Sequence, residues 1–177
     1  ALGLRKNRLV AKLLDDLLPV DVVDDLPFVD RADQPLACVP LRVAADVLLK
    51  WQPPLDKKAL RSRGEPIRLR QLMANLISNG IDAYPEAIKD QKKREVLVAV
   101  TNSGTDIIIT VSDWGMGIAP HDRAKLFEAF FSTKKTGMGM GLFIAKQIAE
   151  EHFLGSIAID SSQKHTVFLV KLPRVGA

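Results

Sequence analysis

Two apolar runs, "EVLVAV" (95–100) and "DIIITVSD" (106–113), joined by "TNSGT", constrain this chain more than any other feature. Both are rich in β-branched residues, which suit a pleated, half-buried surface. The glycine-bearing connection between them reads as a hairpin. The chain as a whole mixes α and β elements, with consecutive strands in hairpins. That order favours an α+β arrangement, with helices layered on one sheet face.

Ahead of the hairpin, "GEPIRLRQLMANLISNGIDAYPEAIKD" begins with a turn and continues as a helix. Its apolar residues at 69, 72, 73, 76, 77 and 81 recur with a period near 3.6. Residues 2–18 place leucines on one helical stripe. Their charges oppose the macrodipole, with Arg5, Lys6 and Arg8 at the start and Asp15 and Asp16 near the end. That suits the tail of a longer helix beginning upstream. Pro19 ends it, and "DVVDDLP" follows as an irregular linker. Leu41 to Trp51 reads as a second helix, stopped by Pro53 and Pro54. Further on, "WGMGI" is a glycine turn, "DRAKLFEAFF" a short helix, "STKKTGMGMG" a flexible loop and "LFIAKQIAEEH" a helix. "SIAID" and "TVFLVKLP" are closing strands. The expected fold is α+β: a two-layer α/β sandwich whose mixed, mostly antiparallel sheet packs on three helices, with an N-terminal helical stem.

Composition narrows the function. A length of 177 residues suits one domain with an appendage, and 47% hydrophobic with 26% charged residues suits a globular protein with a core. The lone Cys38 excludes an intrachain disulfide. No apolar run is long enough to span a membrane. The net charge of +4 is mild, and its basic residues are scattered rather than interleaved with aromatics. Nucleic-acid binding would need a denser stripe.

Three patterns carry chemistry. First, Asn75 and Asn79 sit four apart on an otherwise apolar helix, where asparagine is a poor interior residue. Second, Asp113 ends an apolar strand, with Gly115 and Gly117 behind it. An acidic residue there, beside glycines that admit a close backbone, is one way to bind an adenine amino group. Taken alone, an ordinary Asp-x-Gly turn is the better reading. Third, Gly137, Gly139 and Gly141 lead into a helix, just after Lys134 and Lys135. Amides at a helix N-terminus attract phosphate. The spacing fits neither the dinucleotide fingerprint nor the P-loop. A floppy surface loop is the bland alternative.

The fixed order of these patterns resembles the ATP-binding catalytic domain of sensor histidine kinases. Their superfamily also holds gyrase, the large heat-shock chaperones and the mismatch-repair ATPases. "LRQLMANLISNGIDA" is similar to that family's N box, "DWGMGI" to its first glycine box, "LFEAFFSTK" to its F box and "GMGMGLFIAKQIAEEH" to its second glycine box. The likeness covers roughly residues 64 to 173, and residues 40–60 resemble the helix and strand that open the domain. It implies a Bergerat fold that binds ATP with Mg2+. Asn79 would be the metal ligand, through its side-chain oxygen. Asn75 would face the same site, where hydrolytic branches carry a glutamate; an amide cannot act as a general base. Asp82 would line the pocket and Asp113 would bind adenine above Gly115 and Gly117. Ser132, Thr133 and Lys134 would belong to a mobile lid. Gly137, Gly139, Gly141 and the Leu142 amide would lie near the phosphates. Asn75 and Lys134 would serve the transfer itself. Phe127 and Phe130 would anchor the lid to the core.

The resemblance also implies a division into residues 1–30, a stem or linker at the end of a dimerisation region, and residues 31–177, the kinase domain. It implies a cytoplasmic domain that makes no membrane contact and binds no nucleic acid, whatever anchor the parent carries. The implied partners are an upstream histidine-bearing domain, a response regulator and a second copy of the parent. Three departures stand out. His165 precedes the threonine of the last strand, where the family carries glycine. Leu154–Gly155 replaces a paired glycine. The segment before Gly64 is short enough to lack a strand. His121, His152 and His165 all lack the phosphoacceptor context; the first two read as surface or helix-end residues and His165 as a strand residue. Three functions compete: a histidine kinase domain, a related serine kinase or small ATPase, and a non-catalytic interaction module.

Overall fold

A computed structural model describes residues 21–23, 41–43, 47–52, 60–84, 94–134 and 137–175. The expected helix at 2–18 lies outside them, as does nearly all of the expected stem.

The central helix α1 (Pro66–Asp82) follows from its sequence. Proline occupies the first helical position, where a missing N–H costs nothing. Leu69, Leu72, Met73, Leu76, Ile77 and Ile81 form one buried stripe, as their spacing predicts. The stripe packs on a six-stranded sheet.

The sheet contains β2 (Leu41–Val43), β3 (Val47–Gln52), β5 (Glu95–Ser103), β6 (Asp106–Asp113), β7 (Ser156–Ile159) and β8 (Thr166–Pro173). Their spatial order is β2-β3-β5-β6-β8-β7. All neighbours are antiparallel except β3 and β5. Alternate residues face the helices: Val96, Val98 and Val100 on β5, and Ile107, Ile109 and Val111 on β6, are almost fully buried. The β5–β6 hairpin forms as expected, with a tighter turn. Ser103 pairs with Asp106, leaving Gly104 and Thr105 as the loop. Gly104 has φ +60° and Thr105 does not share the positive φ, the pattern of a type II′ turn.

Three expectations are overturned. Leu41 to Trp51 is not a helix; β2 and β3 pair as a hairpin, and β3 extends the sheet beside β5. Val47 and Leu49 are buried while Leu48 and Lys50 are half-buried, so a period of two wins over helix propensity once β5 supplies a partner. Nor is Asp21–Val23 irregular, and the segment before Gly64 does not lack a strand. Asp21–Val23 (β1) pairs in parallel with β4 (Arg61–Arg63) in a small second sheet.

Three helical segments accompany the sheet among the described residues, in keeping with the expected two-layer α+β class. After α1 comes a 3₁₀ helix, Pro120–Lys125. The third is α2 (Gly141–Gln147), which continues as a π turn through His152. The α-helix expected over 122–131 does not form. Its stretch closes through three-residue bonds such as Glu128 N–H to the Lys125 carbonyl (2.9 Å), and Phe130 leaves the helical region at φ +65°. Where a paired glycine was expected, Leu154 takes φ +52° in the turn after the π segment.

Candidate functional site

The C-terminal half of α1, the end of β6 and the loop before α2 converge on one place. Gly80 makes this approach feasible. A Cβ there would lie 3.0 Å from Val96 and 3.5 Å from the Asp113 side chain, so the bare helix backbone lets β6 come close. Gly115 is stricter: a Cβ would lie 2.4 Å from the Ala83 carbonyl oxygen. The turn after β6 therefore docks directly on the end of α1, sealed by Met116 N–H donating to that carbonyl (2.9 Å).

Asp113 is almost fully buried, with 3% of its surface exposed. Its Oδ1 accepts the Gly115 N–H at 3.0 Å, and the Thr166 hydroxyl bonds the same carboxyl. Burial pushes its pKa up to about 6, against the opposing pull of those two bonds and of the Lys134 charge. Gly117 (φ +73°) has open space where a Cβ would stand and lines a neighbouring cavity.

Asn79 and Asp82 meet the loop through one cation. Lys134 Nζ donates to Asn79 Oδ1 at 3.1 Å and to Asp82 Oδ2 at 3.1 Å. Residues more than fifty positions apart in sequence are thus joined by one side chain. Ser132 supports the lysine, its Oγ accepting the Lys134 N–H at 3.1 Å, while Thr133 is exposed. Gly137 lies over Ser132, and Gly139 (φ +68°) folds onto the Phe130 and Phe131 backbone, where a Cβ would meet Phe130 C at 2.4 Å.

Asn75 faces the start of α2. A Cβ on Gly141 would come 3.7 Å from Asn75 Oδ1, and Leu142 packs beside the core. Asn75 Nδ2 is a buried donor with no acceptor among the described residues. Asparagine at this position is costly for the fold, and the cost calls for an acceptor.

Of the two phenylalanines expected to hold the loop on the core, one packs there and one does not. Phe127 packs on the core, edge-on to Phe168 with ring centroids 6.4 Å apart. Phe130 is 78% exposed. His165 is not in a strand; it lies one residue before β8, its imidazole stacked on Trp114.

Tyr84 and Thr166 were not singled out from the sequence. Tyr84 Oη accepts the Trp114 N–H (2.9 Å) and the Glu95 N–H (3.1 Å) and donates to the Glu95 carbonyl. One hydroxyl thereby ties the end of α1 to the start of β5 and the end of β6, and burial raises its pKa. Being the only tyrosine, just past the helix, was its one available signal. Thr166 becomes visible only through the register that pairs it with Asp113.

The donor set suits a divalent cation held jointly with a phosphate chain. Asn79 Oδ1 and Asp82 Oδ2 already share an ammonium, so their oxygens converge on a point where positive charge is stable. No cluster of three His, Cys, Asp or Glu able to hold a metal occurs among the described residues. A metal here would therefore draw its remaining ligands from the nucleotide and water. Among the same residues, no helix is long and apolar enough to cross a membrane.

Residues 64–176 match the family described as histidine kinase-, DNA gyrase B- and HSP90-like ATPase. The sensor histidine kinase ZraS of Salmonella typhi is 32% identical over 97% of this chain and 36% of its own length. Sporulation kinase B of Bacillus subtilis is 35% identical over 62% of this chain and 24% of its own. The chain thus spans about a third or less of these relatives. The solved catalytic domain of the histidine kinase ThkA, nucleotide-free, aligns with a TM-score of 0.61 at 25% identity, over 73% of this chain and 80% of that one.

Proposed function

The chain belongs to the family of histidine kinase-, DNA gyrase B- and HSP90-like ATPases, and we propose that it is the ATP-binding catalytic domain of a two-component sensor histidine kinase. In this reading residues 31–177 hold Mg-ATP and residues 1–30 lead from a dimerisation domain of the parent. The parent supplies the phosphoacceptor histidine, pairs with a second copy and passes phosphate to a response regulator. The domain works in the cytoplasm.

The observation that carries this reading is the Lys134 ammonium shared by Asn79 Oδ1 and Asp82 Oδ2. Asn79 is the metal ligand and Asp82 lines the metal side of the pocket. Bound Mg2+ would screen the phosphate charge. Lys134, drawn off by the incoming phosphates, neutralises them from the lid. Asp113 accepts from the adenine amino group. Asn75 donates Nδ2 to a phosphate oxygen, and Ser132, Thr133 and the glycines at 137, 139 and 141, with the Leu142 amide, wrap the phosphate chain. Asn75 offers no carboxylate to activate water, so the site favours holding ATP for transfer over hydrolysing it. Transfer then rests on positioning and charge neutralisation.

Calorimetric titration of ATP, with and without Mg2+, tests the assignment. The parent chain should bind ATP more tightly with Mg2+, and Asn79→Ala should erase that dependence. An Asn79→Ala variant with unchanged affinity and unchanged Mg2+ dependence removes Asn79 from the metal site.

A further inference from the structure

Asp113 and Thr166 form the outermost pair of the β6–β8 ladder. One residue beyond them, on each strand, stand Trp114 and His165. Their rings stack face to face, with centroids 4.5 Å apart and planes 13° from parallel. The two sides of this stack are held very differently. Trp114 is pinned at its backbone by Tyr84 Oη. His165 ends the bent connection between β7 and β8, whose side-chain bonds are local: Asp160 Oδ1 accepts from the Ser162 N–H and the Ser162 hydroxyl. The stack therefore fastens the start of β8 to the turn after β6, at the level of the Asp113 carboxyl. The same ring borders a cavity of about 290 Å³, lined also by Gly117, Ile118, Arg123, Asp160 and Thr166.

We propose that His165 is a positioning residue for the nucleotide base: by stacking on Trp114 it holds Thr166 against Asp113 and keeps the base-binding end of the pocket narrow. This rests on the ATP-binding reading above. Strand ends fray unless something holds them. Thr166 is the first residue of β8, and its hydroxyl is one of the two bonds orienting a buried carboxyl. Clasping that strand end before the ligand arrives saves the ordering cost at binding. A base is then recognised by a preset acceptor rather than by one that must be assembled.

Titrations of the whole chain with ATP and with GTP, both with Mg2+, test the proposal. His165→Ala and His165→Gln, which remove the ring, should each weaken ATP about three- to tenfold, the range set by one aromatic pair. GTP should change little, so the preference for ATP shrinks by the same factor. His165→Phe restores a stacking ring without the imidazole nitrogens and should return ATP affinity to within about twofold of the parent, a rescue that follows if the pair energy resides in the ring contact. Trp114 emission, read in a Trp51→Phe background, should shift in the Ala and Gln variants. ATP affinity unchanged in both ring-less variants, or not rescued by Phe, overturns the proposal. A parent chain that binds neither nucleotide overturns the ATP-binding reading instead.

Discussion

Asp113→Asn should make the protein more stable and a poorer nucleotide binder at the same time. The carboxyl is 3% exposed, and its pKa stands at about 6 where the ordinary value is 3.8. At about 1.4 kcal/mol per pKa step, ionising it in the fold costs about 3 kcal/mol more than ionising it in the unfolded chain. The direction follows from proton binding. Between pH 3.8 and about 6 the folded state keeps a proton that the unfolded state has released, so stability falls as pH rises through that window. Above it the penalty is complete. Below it both states are protonated and the penalty is gone. Asparagine keeps the shape and an oxygen for the Gly115 N–H, and it never ionises. Urea unfolding at pH 8 should show the variant more stable by about 1–3 kcal/mol, the upper end being the full ionisation penalty. At pH 4 the difference should shrink towards zero. The same variant presents an NH2 group where the base needs a second acceptor, so ATP affinity should drop about tenfold or more. Equal unfolding midpoints at pH 8 would refute the claim that this carboxyl is held ionised against its surroundings.

Two further predictions concern its neighbours. Tyr84→Phe strips the acceptor from the Trp114 and Glu95 N–H groups and the donor from the Glu95 carbonyl. Leaving such part-buried groups unpaired should cost about 1–2 kcal/mol in urea unfolding, and a loss under about 0.5 kcal/mol would show that the hydroxyl is not the hub drawn above. Lys134→Met removes a positive charge that, after the Gly115 and Thr166 hydrogen bonds, helps to lower the Asp113 pKa, so carboxyl NMR should place Asp113 slightly above its value of about 6. ATP affinity should fall about tenfold with the lost phosphate contact, and an unchanged affinity would take Lys134 out of the site.

What the sequence made legible was what local periodicity encodes. The α1 stripe at 69, 72, 73, 76, 77 and 81 is buried as written, and the β5–β6 hairpin pairs where its β-branched runs lie. "VLLKWQ" was misread because a short apolar run suits either period; the choice depended on β5, more than forty residues away. "DRAKLFEAFF" looked helical because nothing in its composition announces the positive φ at Phe130. At the site, Asn79, Asp82, Asp113 and Lys134 were visible as residue types at telling positions. Their mutual geometry was not, since the Lys134 contacts span fifty residues. Thr166 and the Trp114–His165 stack arise from strand register, which a single sequence does not display.

The pocket concentrates costs that a magnesium nucleotide is suited to relieve. Asp113 is a charge held out of water, and a base amino group would give it the donor that its environment withholds. Asn75 Nδ2 is a buried donor without an acceptor among the described residues, and phosphate oxygens are acceptors. Asn79 and Asp82 hold a lysine ammonium at a point where a divalent ion binds oxygen more strongly, and the displaced lysine is then free to meet phosphate. Binding energy drawn from such relief is largest when the partner carries all three complements at once: an amino-bearing base, a phosphate chain and a metal. A carboxylate in place of Asn75 would bring a general base to the phosphates and turn the site from holding ATP towards hydrolysing it. Asn75, a poor residue for a helix interior, therefore narrows what the pocket can be for.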